Sequence, residues 1–436
     1  MAIRDDVLVV GGGLAGMVSA LAATRAAPDA RVRVLSHKES TLQSASGLVD
    51  VLGYRPGDDT PVATPFDALD ALPDDHPYRV VGEEAIRDGL ALFDDVVGDA
   101  YAGGHTDRNA LVPTHGGTVK PTARYPRTTA AGLASDDRDA LLVGFPATTD
   151  FDAERAAAHL ENAGVPFEVD GVTVPFPLDL RDDAKVTRYA HALDADEPVE
   201  SDDRSGDVGV RAQLAAAVEP HLDGHGRVGF PALLGRDHPT DVRESLEGHL
   251  GVDVFEVPTG PPSLPGLRLR YRLRGALDDA GVRVATGNPV VDFDAADGRV
   301  ETLYVERNGA RIPYEPNQVV LATGGLVGKG IRSDRSRVAE PVFGLHVPHP
   351  DDRYDWFAEG AFGDHPFARF GVRVDDALRP TDADGTAEYE NLRAAGAVVA
   401  GVDFAAEKSG AGVSLATGHA AGTRAGEATR ADTPTD

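Results

Sequence analysis

The chemistry-bearing residues nearest the N-terminus are the glycines of the sequence Gly-Gly-Gly-Leu-Ala-Gly at residues 11–16. In this spacing, Gly11 permits a tight turn, Gly13 lets a phosphate approach the backbone, and Gly16 allows close helix–strand packing. A helix that begins here offers free N–H groups and the positive end of its dipole to an anion. A glycine-rich turn without a ligand is the alternative. We predict that this loop contacts a nucleotide cofactor through Gly11, Gly13, Leu14, Ala15 and Gly16.

The elements around the loop must hold it in place. Residues 6–10 end in four consecutive apolar residues, which is typical of a buried parallel strand. Residues 17–27 are rich in alanine and end before Pro28, which predicts a helix. A second apolar strand follows at residues 32–35. This βαβ arrangement is the context in which such a glycine loop binds a nucleotide.

The residues after the second strand leave the identity of the nucleotide open. Dinucleotide sites usually carry Asp or Glu there to bind the adenosine ribose, whereas this chain has Ser36 and His37, with Glu39 slightly later. Either Ser36 or Glu39 substitutes for the missing acid and the cofactor is FAD, or the cofactor lacks the adenosine half, as FMN does. We predict contacts from Ser36 and His37, and these residues leave both FMN and FAD open.

Three later segments favour a flavin site. Residues 317–325 form an apolar strand ending in small residues, residues 390–403 form a strand and glycine turn, and residues 409–420 begin a small-residue helix. The N-terminus of that last helix can face the pyrimidine edge of a flavin, where its dipole would stabilise the reduced form. Together with the loop after the second strand, they supply the remaining predicted cofactor contacts: Ser46, Gly47, Thr323, Gly324, Gly396, Asp403, Gly410, Gly412 and Val413.

No general base stands out, and the catalytic candidates are His115, Lys120, Arg268 and His419. His115 and Lys120 belong to a polar, glycine-rich segment that is either an anion contact or a solvated hairpin. Arg268 belongs to residues 264–274, where arginine alternates with apolar residues. In a strand its arginines share one face, whereas in a helix they fan out. Surface ion pairing and a grip on a phosphate or carboxylate are the two interpretations.

The composition limits the possible partners. The chain has 71 acidic and 42 basic residues, a formal net charge of −29, and only five lysines. Acids spread along the whole chain favour solubility in concentrated salt over binding to a cationic partner, and they disfavour nucleic acid. The absence of cysteine excludes disulfides, iron–sulfur clusters and zinc–thiolate sites within this sequence. The histidines lack metal-ligand spacing, so we predict no metal site. No apolar stretch reaches the length of a membrane span.

The predicted fold class is α/β: a Rossmann-like FAD/NAD(P)-binding flavoprotein fold with an inserted α+β substrate or cap domain. The N-terminal βαβ part covers residues 1–60, and a mixed helical and cap region covers 61–275. Residues 276–345 return to the flavin-binding domain, 346–380 form a further cap segment, 381–426 form the C-terminal flavin-binding segment, and 427–436 form a disordered tail.

The chain resembles the B subunit of the anaerobic glycerol-3-phosphate dehydrogenase complex. The residues that carry the resemblance run nearly from end to end: 11–16, 46–50, 117–118, 143–144, 150–151, 264–269, 371–372, 375, 378–380, 390–392 and 410–413. The most distinctive match is the segment from Phe367 to Pro380. The glycine loop itself is common to many flavoproteins and contributes little to the choice of family.

The resemblance implies a function and an assembly. The family oxidises sn-glycerol 3-phosphate to dihydroxyacetone phosphate and passes electrons to quinone. The B subunit works with a larger catalytic FAD subunit, the A component, and with an iron–sulfur subunit, the C component, which holds the complex at the cytoplasmic face of the membrane. The B subunit is similar to FMN-associated flavoproteins, which implies FMN as the cofactor, with FAD as the alternative. The alternatives are a self-sufficient FAD oxidoreductase of the fumarate-reductase type and a non-catalytic scaffold subunit.

Overall fold

The computed structural model describes residues 2–181, 184–199 and 208–431. The chain forms two compact units. The first lies within residues 1–41, 50–98 and 271–436, and the second lies within residues 42–49 and 99–270. Each unit has a parallel sheet and an apolar core of its own.

The strands, in chain order, are β1 (Ile3–Val10), β2 (Val32–Ser36), β3 (Tyr101–Ala102), β4 (Ala110–Pro113), β5 (Val119–Thr122), β6 (Tyr125–Pro126), β7 (Ala140–Gly144), β8 (Val169–Thr173), β9 (Pro198–Val199), β10 (Val208–Gly209), β11 (Arg227–Pro231), β12 (Asp253–Val257), β13 (Arg283–Thr286), β14 (Val290–Ala296), β15 (Arg299–Arg307), β16 (Ala310–Leu321), β17 (Arg332–Ser333), β18 (Val338–Ala339) and β19 (Leu392–Ala394).

The α-helices are α1 (Leu14–Ala26), α2 (Pro77–Val97, interrupted at Gly82), α3 (Ala153–Asn162), α4 (Val186–Ala195), α5 (Val210–Val218), α6 (Pro239–Leu250), α7 (Leu264–Asp279), α8 (Phe404–Glu407) and α9 (Gly410–Ala431). Short 3₁₀ turns occur at Thr41–Ser44, Phe66–Ala71, Gly98–Ala100, Arg127–Gly132, Glu219–His221, Arg353–Trp356, Pro366–Arg369 and Gly396–Val398.

The first unit is built on a seven-stranded sheet. Strands β13, β2, β1 and β16 lie side by side and are parallel. The other side of β16 pairs antiparallel with β15 near its beginning and parallel with β19 near its end, and β14 then pairs with β15. Because the central strands are apolar and almost fully buried, they form the core of this unit. The sheet therefore places the carboxyl ends of β2, β1, β16 and β19 at one edge.

Helices α1 and α9 pack against each other through small residues. Three glycines of α9 face α1 at intervals of about one helical turn: Gly418, Gly422 and Gly426. A Cβ on Gly422 would lie 2.1 Å from the carbonyl oxygen of Ser19, and on the other two it would lie within 2.7 Å of α1 carbonyl oxygens. Only glycine allows two helix backbones to approach this closely.

The second unit contains a four-stranded parallel sheet in the order β12-β11-β7-β8. Its core forms clusters that include the apolar faces of α3, α4, α5 and α6. A fully buried arginine, Arg227, donates hydrogen bonds of 2.8–3.0 Å to the carbonyl oxygens of Ala131, Leu133, Asp136 and Arg138. The guanidinium of Arg227 thus finds four carbonyl acceptors in the segment 131–138, which accounts for its burial.

The sheet and helix order confirm the predicted α/β fold class, and residues 264–274 form part of helix α7. The structure divides the chain differently at three places. Helix α2 belongs to the first unit because it packs on α9, and residues 346–380 belong there because Val372 bridges Val399. Residues 427–431, predicted as part of a disordered tail, complete α9, while residues 432–436 lie outside the described residues.

The close contact between α1 and α9 predicts how a single added methyl group changes the stability of the protein. Gly422→Ala should lower the free energy of unfolding by about 1–3 kcal/mol, because the new Cβ meets the Ser19 carbonyl and the backbones must separate. Gly275→Ala is the matched control, since a Cβ on this glycine of α7 meets nothing within 4 Å. It should stabilise by about 0.5–1 kcal/mol. Chemical denaturation measures both, and equal effects would contradict the proposed packing.

Candidate functional site

The candidate site of the first unit lies at the carboxyl edge of its parallel sheet. The strand ends are joined there by backbone hydrogen bonds. Gly11 N–H donates to Leu35 O (2.8 Å), Ala322 N–H donates to Val10 O (2.8 Å), and Ala395 N–H donates to Leu321 O (2.9 Å). Ligands of open α/β sheets bind beyond this edge. The fold thus brings the glycine loop, the residues after β16 and the residues after β19 together.

Two glycines of the loop are required by the protein itself. Gly11 has a φ of 128°, and a Cβ there would lie 2.1 Å from the Ala322 carbonyl oxygen. A Cβ on Gly16 would lie 2.0 Å from the Gly11 carbonyl oxygen. Larger side chains would push α1 away from β1 and β16. These two glycines therefore shape the βαβ turn, as the spacing predicts.

Gly13 is different, because no neighbouring protein atom requires it to be a glycine. It is the N-cap of α1 with an ordinary φ of −80°, and a Cβ there would meet nothing within 4 Å. No side chain caps this end of α1, and its first turn contains no acidic residue. A helix N-terminus beside open space is a suitable seat for a phosphate. Leu14 and Ala15 supply the first N–H groups of this helix.

Segments from later in the chain lie near the N-terminus of α1. A Cβ on Gly396, whose φ is 74°, would lie 2.6 Å from the Ala15 Cβ, and its N–H donates to Thr417 Oγ1 at 2.8 Å. The hydroxyl of Thr323 is buried and has no hydrogen-bond partner among the described residues. Gly324 follows with a φ of 83°. The structure therefore brings Gly396 close to the first turn of α1, whereas the role of Thr323 and Gly324 in a cofactor site stays a prediction.

The start of α9 is capped by a residue that we did not predict as part of the site. The buried Asp50 accepts hydrogen bonds from Ala411 N–H (2.9 Å, carboxylate) and Gly412 N–H (2.7 Å, carbonyl). A Cβ on Gly412 would lie 2.2 Å from the Tyr78 hydroxyl, so packing requires this glycine, and the next residue, Val413, is fully buried. The N–H groups that we expected to face a flavin are thus bonded to Asp50.

A buried polar network precedes α9. Asp403 caps α8 through the N–H groups of its first turn and donates its own N–H to Glu407 (3.0 Å). His76 Nε2 lies 3.0 Å from the Glu407 carboxylate, and His76 Nδ1 accepts from Tyr78 N–H. Because Nδ1 is an acceptor, the ring proton lies on Nε2 and is donated to Glu407. This arrangement gives Asp403 a structural role, and it holds the segment before Gly410 in place.

The end of β2 carries no carboxylate of its own. The Ser36 hydroxyl donates to the Lys38 carbonyl at 2.6 Å, and a Cβ on Gly12 would lie 2.9 Å from Ser36 Oγ. His37 and Glu39 are exposed. Ser36 therefore lies beside the glycine loop with its proton already donated within the protein, and its contact with a cofactor stays a prediction.

The predicted cofactor residues of the second unit have local packing roles. Ser46 Oγ accepts from Leu48 N–H at 3.3 Å. Gly47 has a φ of 77°, and a Cβ there would lie 2.6 Å from the Pro265 Cβ. The Gly47 carbonyl also accepts from the Tyr101 hydroxyl at 2.8 Å. Their contribution to a cofactor site stays a prediction.

His115 and Lys120 lie in the β4–β5 hairpin. His115 is exposed at the turn, and its backbone N–H donates to the Pro258 carbonyl at 3.2 Å. Lys120 lies on β5, opposite Val112. A role for either side chain in contacting an anion stays a prediction.

Arg268 forms a buried ion pair within the second unit. Its guanidinium donates to both carboxylate oxygens of Glu256, at 2.6 and 2.9 Å, and to the Gly235 carbonyl. Thr128 Oγ1 and Leu234 N–H complete the Glu256 environment at 2.6 and 2.8 Å. The Arg268 side chain is 11% exposed and the Glu256 side chain 0%. This fork-shaped geometry is the reason for an arginine here and gives Arg268 a structural function.

His419 lies within α9, nine residues after its first residue. At about 1.5 Å per residue, it is roughly 14 Å along the helix axis from the N-terminus. Burial lowers the pKa of His419, and the charge of Arg25 lowers it further, whereas Asp88 raises it. Arg25 lies on α1 and Asp88 lies on α2.

Comparisons with known proteins agree with this geometry. Residues 6–413 match the FAD binding domain family. A probable anaerobic glycerol-3-phosphate dehydrogenase B subunit from Halobacterium salinarum is 63% identical, covering 98% of this chain and 99% of that protein. The chain belongs to the B-subunit family of the anaerobic glycerol-3-phosphate dehydrogenases. This confirms the resemblance, and it identifies the chain as a flavoprotein oxidoreductase subunit.

More distant members of the B-subunit family cover a similar span. The B subunit from Yersinia pestis is 30% identical, covering 95% of this chain and 96% of that protein. Among solved structures, an E. coli quinol fumarate reductase aligns with a TM-score of 0.44 and 10% identity, over 100% of this chain and 72% of that chain. None of the helices in the described residues combines the length and apolar character of a membrane span.

The ion pair of Arg268 gives a test that separates structure from catalysis. Arg268→Met leaves the buried Glu256 carboxylate unpaired and should lower the free energy of unfolding by about 3–5 kcal/mol. Arg272→Met, on the exposed side of α7, should change it by no more than about 0.5 kcal/mol. Denaturant unfolding measures both. If the Arg268→Met protein were as stable as the wild type and had lost only substrate turnover, this result would contradict the structural role and support Arg268 as a substrate contact.

Proposed function

We propose that this chain binds a flavin at the carboxyl edge of its seven-stranded sheet, with a cofactor phosphate at the N-terminus of α1. The observation that carries the proposal is the open space at Gly13. A Cβ there would meet no atom within 4 Å, so the protein fold does not require a glycine at this position. When bound, the flavin supplies two-electron redox chemistry. The chain positions it through backbone N–H groups and glycine surfaces.

The flavin that we propose is FMN. Two features of the chain support it: Ser36 and His37 stand where a FAD site usually has an acid, and the Ser36 hydroxyl is already bonded to Lys38. The description of the matching family supports FAD more directly. The two cofactors share the ribityl phosphate and differ by the adenylate group, so the proposed phosphate seat suits both.

The proposed reaction is the oxidation of sn-glycerol 3-phosphate to dihydroxyacetone phosphate, with electrons passed to quinone. Membership of the B-subunit family supports it. Because the sequence contains no cysteine, an iron–sulfur centre must belong to another subunit. We propose assembly with a catalytic FAD subunit, the A component, and an iron–sulfur subunit, the C component. The latter would hold the complex peripherally at the cytoplasmic face of the membrane.

Identification of the released cofactor tests the proposal directly. Protein purified under native conditions should carry a visible flavin absorption band, because the Gly13 seat and the later glycine segments are present. Acid release followed by mass spectrometry should yield FMN. Recovery of FAD would overturn the argument from Ser36 and His37, and protein that lacks any flavin would favour the scaffold alternative.

A substitution at Gly13 separates ligand binding from folding. Gly13→Val places a side chain in the phosphate seat, where it meets no protein atom within 4 Å at the Cβ. The cofactor-free protein should therefore lose no more than about 1 kcal/mol of stability. Flavin content should fall at least about tenfold, because the phosphate can no longer reach the backbone. If this variant retained flavin at the wild-type level, the phosphate would have to bind at another position, and the proposed seat at Gly13 would be wrong.

A further inference from the structure

The first unit buries an arginine in its seven-stranded sheet. Arg393 is the middle residue of β19, between Leu392 and Ala394, which belong to the apolar core. Because side chains alternate along a strand, Arg393 lies on the opposite face from these two neighbours. Its Nη1 donates to the Gln318 amide oxygen at 2.7 Å, and the residue is 9% exposed. The amide is neutral, so this contact leaves the charge of the buried guanidinium uncompensated.

Helix α9 places a second arginine beside the first. Thr417 Oγ1 accepts from Gly396 N–H at 2.8 Å, which ties α9 to the end of β19. Arg424 follows Thr417 by seven residues, so it lies on the same helix face and roughly 10 Å further along the axis. Arg393 precedes Gly396 by three residues, roughly 10 Å back along the strand. Since α9 runs parallel to α1, away from the carboxyl edge that β19 approaches, the two arginines lie at the same depth below that edge.

The two arginines, which we call the arginine pair, lie close enough for their charges to interact. Burial lowers the pKa of Arg393, the charge of Arg424 lowers it further, and Arg379 adds a smaller effect in the same direction. Asp375 and Glu427 raise this pKa, and their effects are smaller still. A like charge shifts a pKa only over a short distance, so the two guanidinium groups are neighbours. Positive charge therefore dominates the surroundings of Arg393.

The nearby acids are committed to other partners or exposed. The Asp375 carboxylate accepts from backbone N–H groups and from Arg379 Nε at 2.8–2.9 Å. Arg379 also donates to Glu390 at 2.6 Å. Glu427 is exposed to solvent. Within the described residues, the arginine pair therefore has no carboxylate of its own.

Each member of the arginine pair also has a buried N–H group without an acceptor. Arg393 Nε and Arg424 Nη1 are buried, and no atom of residues 2–181, 184–199 or 208–431 accepts a hydrogen bond from them. A buried donor without an acceptor costs free energy, and the cost is larger when the donor belongs to a charged group. A water molecule accepts hydrogen bonds but brings no negative charge to two adjacent cations. An anion meets both requirements.

We propose that the arginine pair binds a small monovalent inorganic anion, chloride, between β19 and α9. The anion accepts from Arg393 Nε and Arg424 Nη1 and offsets the repulsion between the two guanidinium groups. A spherical ion suits donors from two different elements, because it imposes no preferred direction. The negative charges of Asp375 and Glu427 disfavour a phosphate or sulfate dianion. The acidic composition favours solubility in concentrated salt, where a monovalent anion is plentiful.

The proposed anion is a structural component that holds α9 on the sheet. Its site lies roughly 10 Å from the carboxyl edge, by the rise of three strand residues, and is separate from the seat at Gly13. By neutralising the arginine pair, the anion strengthens the contact between α9 and β19. This inference goes beyond the proposed function and does not rest on it, since anion binding and flavin binding are measured separately.

Urea unfolding at constant ionic strength tests the proposal, with potassium chloride replacing potassium gluconate stepwise. An anion that binds only the folded protein stabilises it by mass action, so each tenfold rise in chloride above the dissociation constant should lower the unfolding equilibrium constant of the wild type about tenfold. Arg424→Met keeps an apolar stem but removes a donor and a charge, so it should lose this dependence. In gluconate alone, the variant should be at least as stable as the wild type, because one of two adjacent cations is gone.

Arg430→Met is the matched control, because it removes an exposed arginine from the same helix. It should show the chloride dependence of the wild type, and any general effect of exchanging gluconate for chloride then appears in both proteins. Equal chloride dependence in Arg424→Met and the wild type would overturn the inference. A wild type whose stability does not respond to chloride would overturn it as well. Flavin content, measured on the same samples, reports separately on the proposed function.

Bromide locates the site directly. Crystals of the full chain grown in bromide should show an anomalous scattering peak between the guanidinium groups of Arg393 and Arg424, and crystals of Arg424→Met should lack it. A water molecule at this position, without anomalous signal, would contradict the proposal. A bromide peak without a chloride effect on stability would indicate an adventitious ion only and would equally contradict it.

Discussion

The close approach of α1 and α9 is the contact on which the first unit depends. Glycines on α9 let its backbone touch the carbonyl groups of α1, with Gly422 meeting Ser19 most closely. Side chains at this seam would separate the helices and shift α1 on the sheet. Since α1 presents its N-terminus at the candidate phosphate seat, the packing of two small-residue helices sets the position of the proposed chemistry.

The glycines of this chain serve two physical purposes. Gly11, Gly16 and Gly412 are required by neighbouring protein atoms, since a Cβ at any of them would collide with backbone or with a buried hydroxyl. Gly13 has open space around it. A sequence motif presents these residues as one pattern, whereas the structure separates glycines that shape the fold from the glycine that leaves room for a ligand. The second kind gives the sharper argument about function.

The charged residues divide in a similar way between fold and surface. Buried ionisable groups of the described residues include two closely matched pairs, His76–Glu407 and Arg268–Glu256. Breaking such pairs would leave an uncompensated charge, so their geometry is tightly constrained. Acids elsewhere cover the surface, which suits solubility in concentrated salt.

Local sequence patterns were sufficient to predict the βαβ start, the glycine loop, the α/β class and the family. In these patterns a buried strand, a turn and a helix succeed one another within about thirty residues. The alternation of arginines around Arg268 stayed ambiguous, because a strand and a helix both accommodate it.

Packing between distant segments determined that the residues around Arg268 form a helix, and it created contacts that no sequence motif predicts. The residues around Arg268 are helical, and Arg268 meets Glu256. Asp50 caps α9, and His76 meets Glu407 across 331 positions of the chain. Each of these contacts joins residues that are distant in sequence and that the folded backbone brings together. Local sequence patterns therefore cannot predict them.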